Sequence, residues 1–206
     1  MKTERTTRKQ REYIQHRSEI LQTALDLFAR NGFHNVTMQA IAEASEFSVG
    51  TLYNFFRNKD DLYRALLSEN VAQFHSGLQN ALDAPGSETE KLRNWLTVKI
   101  RLFRENIAFV RLYYSETMGA SLNVKAGLNK EMLAKYEDSL AQLERLFAGG
   151  IKRKVFKNQG TRYLALALEG ISNTILFDHL EKFEDREIDA DVMLSLLLET
   201  VLIKKV

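Results

Sequence analysis

The sequence predicts an all-α protein of about nine helices. Three observations carry that prediction. Proline occurs once in 206 residues, at Pro85. There are 29 Leu and 18 Ala against 10 Val and 10 Ile. Few breakers, many helix formers and few β-branched residues favour helix over strand. Apolar residues also recur at helical spacing along most of the chain. A β-sandwich or a doubly wound α/β sheet would need Gly/Pro turns and Val/Ile-rich strands that are missing here. With 45% hydrophobic and 27% charged residues, the composition excludes wholesale disorder.

Each element follows from a local pattern. Ile20, Ala24, Leu27 and Phe28 fall at i, i+4, i+7 and i+8, giving a first helix over 13–30 that Asn31-Gly32 stops. Thr37 caps a second helix over Met38–Ala44, with Ala40, Ile41 and Ala44 inward, and Ser48 caps a third over Val49–Phe55. Asn58 starts a long fourth helix with Asp60 and Asp61 in its first turn, where the helix dipole favours acids. Its Leu62, Leu66, Phe74, Leu78 and Leu82 run to Asp83-Ala84-Pro85-Gly86, the clearest break in the chain.

Ser87-Glu88-Thr89-Glu90 is a capping box for a fifth helix with Leu92, Leu96, Val98 and Phe103. A short sixth helix fits Ile107–Thr117, followed by a loop at 119–127. Leu133, Tyr136, Leu140, Leu143 and Phe147 step by three and four along a seventh, which Gly149-Gly150 weakens at its end. After a basic connection over 152–160, the last two helices fit 161–182 and 187–204.

The formal net charge is +2, and it is unevenly placed. Residues 1–11 hold Lys2, Arg5, Arg8, Lys9 and Arg11 against Glu4, while 12–64 hold more acids than bases. The excess is therefore an N-terminal arm over 1–12. Such an arm either contacts nucleic acid or is a solvated tail. It has no apolar core, so no secretory signal is expected. The apolar stretch 192–203 contains Glu199 and is too short for a membrane span.

Cysteine is absent, which excludes disulfides, thiolate zinc, iron–sulfur clusters and a Cys nucleophile, and fits a cytoplasmic location. His16, His34, His75 and His179 are scattered, with no HExxH, and His179 beside Asp178 and Glu181 reads as solvated helix charge. No Gly-rich phosphate loop, GxSxG or GxGxxG follows a strand. The expectation is no enzyme, no cofactor and no metal.

Met38–Ala44 and Val49–Phe55 flank the turn Ser45-Glu46-Phe47-Ser48, which is the spacing of a helix-turn-helix. Two short helices of an ordinary bundle would show the same spacing. The chemistry suits DNA. Ser48, Val49, Gly50 and Thr51 let the start of the second helix approach base edges. Thr37 and Ser48 cap N-termini whose N–H groups can meet phosphate. Tyr53 can donate to phosphate, Asn54 can bond an adenine edge, and Lys59 can pair with phosphate.

The wider string is more specific. Ile20–Phe28, Asn31-Gly32-Phe33, Val36–Ala42, Ser48–Phe56 and Asn58–Leu62 closely resemble the N-terminal domain of TetR-type transcriptional repressors, over roughly 13–66. The resemblance implies a DNA-binding domain at 13–58 and a linking helix with a ligand-binding and dimerisation domain at 59–206. It implies DNA contacts by Thr37, Gln39, Ser48, Val49, Gly50, Thr51, Tyr53, Asn54 and Lys59.

This chain also departs from the family pattern. The family usually has Gly where Glu46 stands and a Val-sized residue where Phe47 stands. A non-Gly residue in the left-handed region costs about 1 kcal/mol, so the turn is expected to adopt another conformation. The recognition helix has no Lys or Arg. Arg57, Lys59 and the arm must then attract phosphate.

The last two helices are apolar on more than one side. Leu164, Leu168, Ile171 and Ile175 form one stripe, and Ala167, Gly170 and Thr174 a second, of small residues. Leu194, Leu197, Leu198 and Val201 help cover most of the final helix. Burial at the centre of a monomer would account for this, and so would a homodimer interface, which the family resemblance favours. Trp95, Phe103, Phe109, Tyr113, Tyr114, Met118, Met132, Tyr136 and Phe177 are either core or the lining of a hydrophobic effector pocket. Arg101, Arg104 and Arg111 are either surface cations or a site for an anionic head group.

The resulting expectation is a homodimeric repressor on a palindromic double-stranded operator, released by a small molecule that repacks the linking helix, with no membrane partner. A non-specific architectural DNA binder and a helical ligand carrier or enzyme are the rivals.

Overall fold

The computed structural model describes residues 7–117, 127–182 and 188–202. Among them lie nine helices: α1 (Arg8–Asn31), α2 (Met38–Ala44), α3 (Val49–Phe55), α4 (Lys59–Asp83), α5 (Glu88–Glu105), α6 (Ile107–Thr117), α7 (Lys130–Lys152), α8 (Thr161–Lys182) and α9 (Ala190–Val201). The only pairing outside helices among these residues is an isolated antiparallel bridge between Phe156 and Leu202.

The chain divides into two compact units. The first comprises residues up to Asn70 together with Ala108–Met118, and the second comprises Val71–Ile107 with the residues from Gly119 onward. α4 is continuous through the change of unit at Asn70 and Val71. The Pro85 turn lies inside the second unit.

α1 begins earlier than its apolar stripe suggests. Thr7 accepts from the Gln10 backbone N–H while the Gln10 side chain accepts from the Thr7 N–H, a reciprocal cap that satisfies two orphan donors. Arg8, Lys9 and Arg11 are therefore the first turns of a helix and not a separate arm. Arg8 also pairs with Glu12 one turn on. Residues 1–6, which hold Lys2 and Arg5, lie outside the described residues.

The core of the first unit is built by Ile20, Leu21, Ala24 and Phe28 of α1 against Ile41 of α2, Leu52 of α3 and Leu62 of α4, all buried. Each large apolar side chain so buried contributes about 1.5–3 kcal/mol of hydrophobic stabilisation.

In the second unit α7 lies along α8, and α5 packs against α9, α7 and α8. Arg162 of α8 bridges Glu144 and Glu137 of α7 at 2.9 and 2.8 Å. Ser87 and Glu90 form the capping box of α5. Gly149-Gly150 does not end α7, which continues to Lys152. An added Cβ at Gly150 would stand 2.3 Å from the Phe156 ring, so this glycine admits an aromatic side chain against the helix backbone. The helix ends at Lys152 with Arg153 as its cap, and Lys154 then takes φ 59°.

Candidate nucleic-acid interface

Three short local devices build the helix-turn-helix. The Thr37 hydroxyl accepts from Ala40 N–H at 3.1 Å and fixes the start of α2. The Ser48 hydroxyl accepts from Thr51 N–H at 3.0 Å and lies 2.8 Å from the Thr51 hydroxyl, fixing the start of α3. Between them the turn closes through Ser45 N–H to Ile41 O at 3.0 Å and Phe47 N–H to Ala42 O at 3.0 Å.

Glu46 sits at φ 59°, in the left-handed region. The expectation of a different turn conformation is thus corrected. The hydrogen bonds and the burial of Leu52 hold the turn in this form, and the non-Gly residue is strained within it by about 1 kcal/mol. Phe47 fills its place by packing edge-on against His16 of α1, with ring centroids 5.1 Å apart.

On the outward side Thr37, Gln39, Ser48, Gly50, Tyr53 and Asn54 are exposed, while Val49 and Thr51 are half-buried. All eight expected contact residues are therefore at least partly accessible. Tyr53 is 49% exposed. An added Cβ at Gly50 would meet only the Ser48 hydroxyl within 4 Å, at 3.8 Å, so the local backbone is open to a close partner.

Lys59 differs from expectation. Its ammonium donates to Phe33 O at 2.7 Å, Val36 O at 2.9 Å and His34 O at 3.2 Å, and lies 4.5 Å from the Phe33 ring centroid. All three of its protons are committed to the loop before α2. Its role is to tie the start of α4 to that loop, and a direct phosphate contact would require one of these bonds to open. The signal was absent from the sequence because three carbonyls from a loop over twenty residues away supply the acceptors.

Arg57 is also engaged. Its guanidinium donates to Asp61 at 3.0 Å and its backbone N–H donates to the same carboxylate at 3.1 Å. These bonds, the side-chain one foremost, hold the Asp61 carboxyl down at about 2. Arg17 forms an ion pair with Glu69. Sequence reasoning also missed Tyr13, half-exposed on α1, whose ring stacks on Phe55 at the end of α3 with centroids 4.7 Å apart. A tyrosine one turn outside an apolar stripe was the available clue.

The remaining expected residues fall into separate places. Trp95, Phe103, Met132, Tyr136 and Phe177 are all in the second unit, whereas Tyr113 and Tyr114 belong to the part of α6 grouped with the first. Tyr113 is pushed up to about 12 by burial. Met118 lies outside the described residues. Phe109 is buried core.

Ala167, Gly170 and Thr174 are exposed, as a surface stripe would be. Leu194, Leu197, Leu198 and Val201 are buried within the chain itself, which corrects their assignment to a subunit interface. A helix apolar on nearly every side does not reveal which side its own chain covers. Among the described residues, the exposed large apolar side chains of α9 are Val192 and Leu196, and those of α8 are Tyr163 and Leu166.

Lys99 was not anticipated either. It is 5% exposed and donates to Glu169 at 2.9 Å and to Ser172 at 2.8 Å. Its burial holds the ammonium below its ordinary range, and Glu169 opposes that shift. A lysine four residues from both Trp95 and Phe103 lies on the buried stripe of α5, and that spacing was a readable signal. No helix among the described residues is long and apolar enough to cross a membrane, and no group of three or more His, Cys, Asp or Glu among them could hold a metal.

Comparison with known proteins agrees with this geometry. Residues 20–66 match the family model of bacterial regulatory proteins, tetR family. The fatty acid metabolism regulator protein of Bacillus subtilis (strain 168) is 30% identical over 74 residues, 36% of this chain and 38% of that protein. The chain spans about half or less of the length of the first curated relatives it matches.

Among solved structures, a TetR family transcription regulator from Marinobacter aquaeolei VT8 superposes with TM-score 0.70 at 18% identity, covering 94% of this chain and 99% of that one. The fatty acid degradation regulator FadR from Bacillus halodurans superposes with TM-score 0.69 at 19% identity, covering 95% of each chain. Likenesses at that identity establish the fold. The likeness to bacterial regulatory proteins of the tetR family is therefore carried by residues 20–66.

Proposed function

We propose that this chain is a sequence-specific DNA-binding regulator of transcription, acting in the cytoplasm as a homodimer on a palindromic operator. α3 enters the major groove and a small-molecule effector of the second unit releases the DNA. The observation that carries the reading is the first unit itself. It has two capped helices at helix-turn-helix spacing, with Gln39, Tyr53 and Asn54 exposed. α3 carries no Lys or Arg. A non-specific binder draws its affinity from cations on phosphate, so the polar, uncharged α3 favours readout of base edges over an architectural role.

Dimerisation is supported by the exposed stripe Ala167, Gly170 and Thr174 on α8 with Val192 and Leu196 on α9. An added Cβ at Gly170 meets nothing within 4 Å. Gly170→Trp should therefore leave each subunit folded and shift the chain from dimer to monomer in light scattering. The relatives named as regulators of fatty acid metabolism and degradation make an acyl-type effector a class to test.

Selection of bound duplex from a random pool tests the reading. An inverted repeat with half-sites spaced by about one helical turn, or a multiple of it, is the expected outcome. Asn54→Ala should change the selected bases at one position of each half-site. A pool that stays random after repeated rounds would refute sequence-specific recognition.

A further inference from the structure

Two buried polar side chains on α5 are poorly explained by packing alone. The Lys99 ammonium donates to Glu169 Oε2 and to Ser172 Oγ, and lies 4.8 Å from the Trp95 ring centroid. Ser172 passes its own proton to Glu169 O at 3.0 Å, and Asn173 donates to Glu169 Oε1 at 3.2 Å. The Lys99–Glu169 pair is thus balanced in charge, and both Glu169 carboxylate oxygens accept a hydrogen bond.

Trp95 is 1% exposed, and its Nε1–H finds no acceptor among the described residues. Buried donors without an acceptor are few in native interiors, and each is costly. An ion pair buried beside it is weak as a stabilising device, since apolar residues of similar volume commonly serve a core as well. Apolar surroundings with a few converging polar groups are the usual composition of a ligand site.

We infer that Trp95 and Lys99 form the polar anchor of the effector site, and that the effector is an apolar molecule presenting one uncharged carbonyl oxygen to Trp95 Nε1–H. The inference rests on the second unit being the effector domain. The ammonium beside the indole ring draws its electron density and strengthens Nε1–H as a donor. An anionic head group is disfavoured because Glu169 already neutralises Lys99, so a second anion would be a buried charge without a partner. Phe103, one turn beyond Lys99 on the same face of α5, meets Phe177 edge-on at 6.3 Å and makes the surroundings of the pair apolar. Glu169 and Tyr136 are only half-buried, so the polar cluster reaches towards solvent on the side of Glu169.

Trp95 is the sole tryptophan of the chain, so its emission reports on the anchor directly. The full chain is titrated with methyl decanoate, decanoate and decane. The ester should change Trp95 emission saturably, and the carboxylate and the alkane should bind about tenfold or more weakly. In Trp95→Phe, followed by thermal shift, the preference for ester over alkane should vanish.

Equal or tighter binding of decanoate, absence of any response to the ester, or retention of the preference in Trp95→Phe would overturn the inference. Should Trp95→Phe fail to fold, the ranking of the three probes on the unaltered chain still decides it. Binding to a duplex selected from a random pool is measured in parallel without probe. Intact DNA binding with no ester response removes the anchor and leaves the regulator reading standing.

Discussion

In the first unit Lys59 lies over the Phe33 ring and gives all its protons to backbone carbonyls; in the second, Lys99 lies over the Trp95 ring and gives two to side chains. Lys59 is half-buried at the start of a helix, where its job is to hold a loop. Lys99 is buried on an apolar stripe, where its charge must be matched by Glu169. The contrast shows that a lysine's role is set by where its acceptors come from. Backbone carbonyls make it a tie, whereas a carboxylate under apolar cover makes it part of a tuned polar cluster.

The largest expected effect breaks the second arrangement. Glu169→Ala leaves Lys99 charged and buried without a counter-ion and should lower stability by about 3–5 kcal/mol in urea unfolding. Lys99→Met combined with Glu169→Leu should restore most of that loss. A double variant as unstable as the single one would mean that the cluster stabilises the unit through more than charge balance.

Next, Lys59→Met should cost about 2–3 kcal/mol, since three carbonyls lose a charged donor that is partly screened by water. DNA affinity should then fall together with stability, while the salt dependence of binding stays the same. A reduced salt slope with unchanged stability would instead make Lys59 a phosphate contact.

A smaller effect sharpens the picture of the turn. Glu46→Gly relieves a left-handed non-Gly residue and should raise stability by about 1 kcal/mol, less the added flexibility of the unfolded chain. The smallest concerns Asp61. Its folded carboxyl titrates at about 2, below its ordinary value, so its contribution is present above that ordinary value and is lost as pH falls towards 2. The pair is exposed, so the loss should be slight and should disappear in Asp61→Asn.

Much of the first unit was legible because its signals are local. Thr37, Ser48 and the Asn31-Gly32 stop act within four residues, and α2 and α3 begin and end where those caps place them. The exposure of Thr37, Gln39, Ser48, Tyr53 and Asn54 followed because it is set largely by each short helix's own register. What was hidden depends on distant partners. The reach of Lys59 back to Val36 and the stacking of Tyr13 on Phe55 need tertiary placement. In the second unit the uniform apolar character of α9 concealed that Leu194, Leu197, Leu198 and Val201 face their own chain. The polar N-terminus hid a capping box because Thr7 and Gln10 precede the first apolar residue of α1 by several positions.

The central claim is that the first unit reads sequence through α3. The most direct test is the ratio of Kd for a selected palindromic duplex and for a random duplex of equal length, measured at one fixed salt concentration. The account predicts binding to the palindrome at least about a thousandfold tighter, with most of the gap lost in Asn54→Ala. Equal affinity for the two duplexes in the unaltered chain would contradict it.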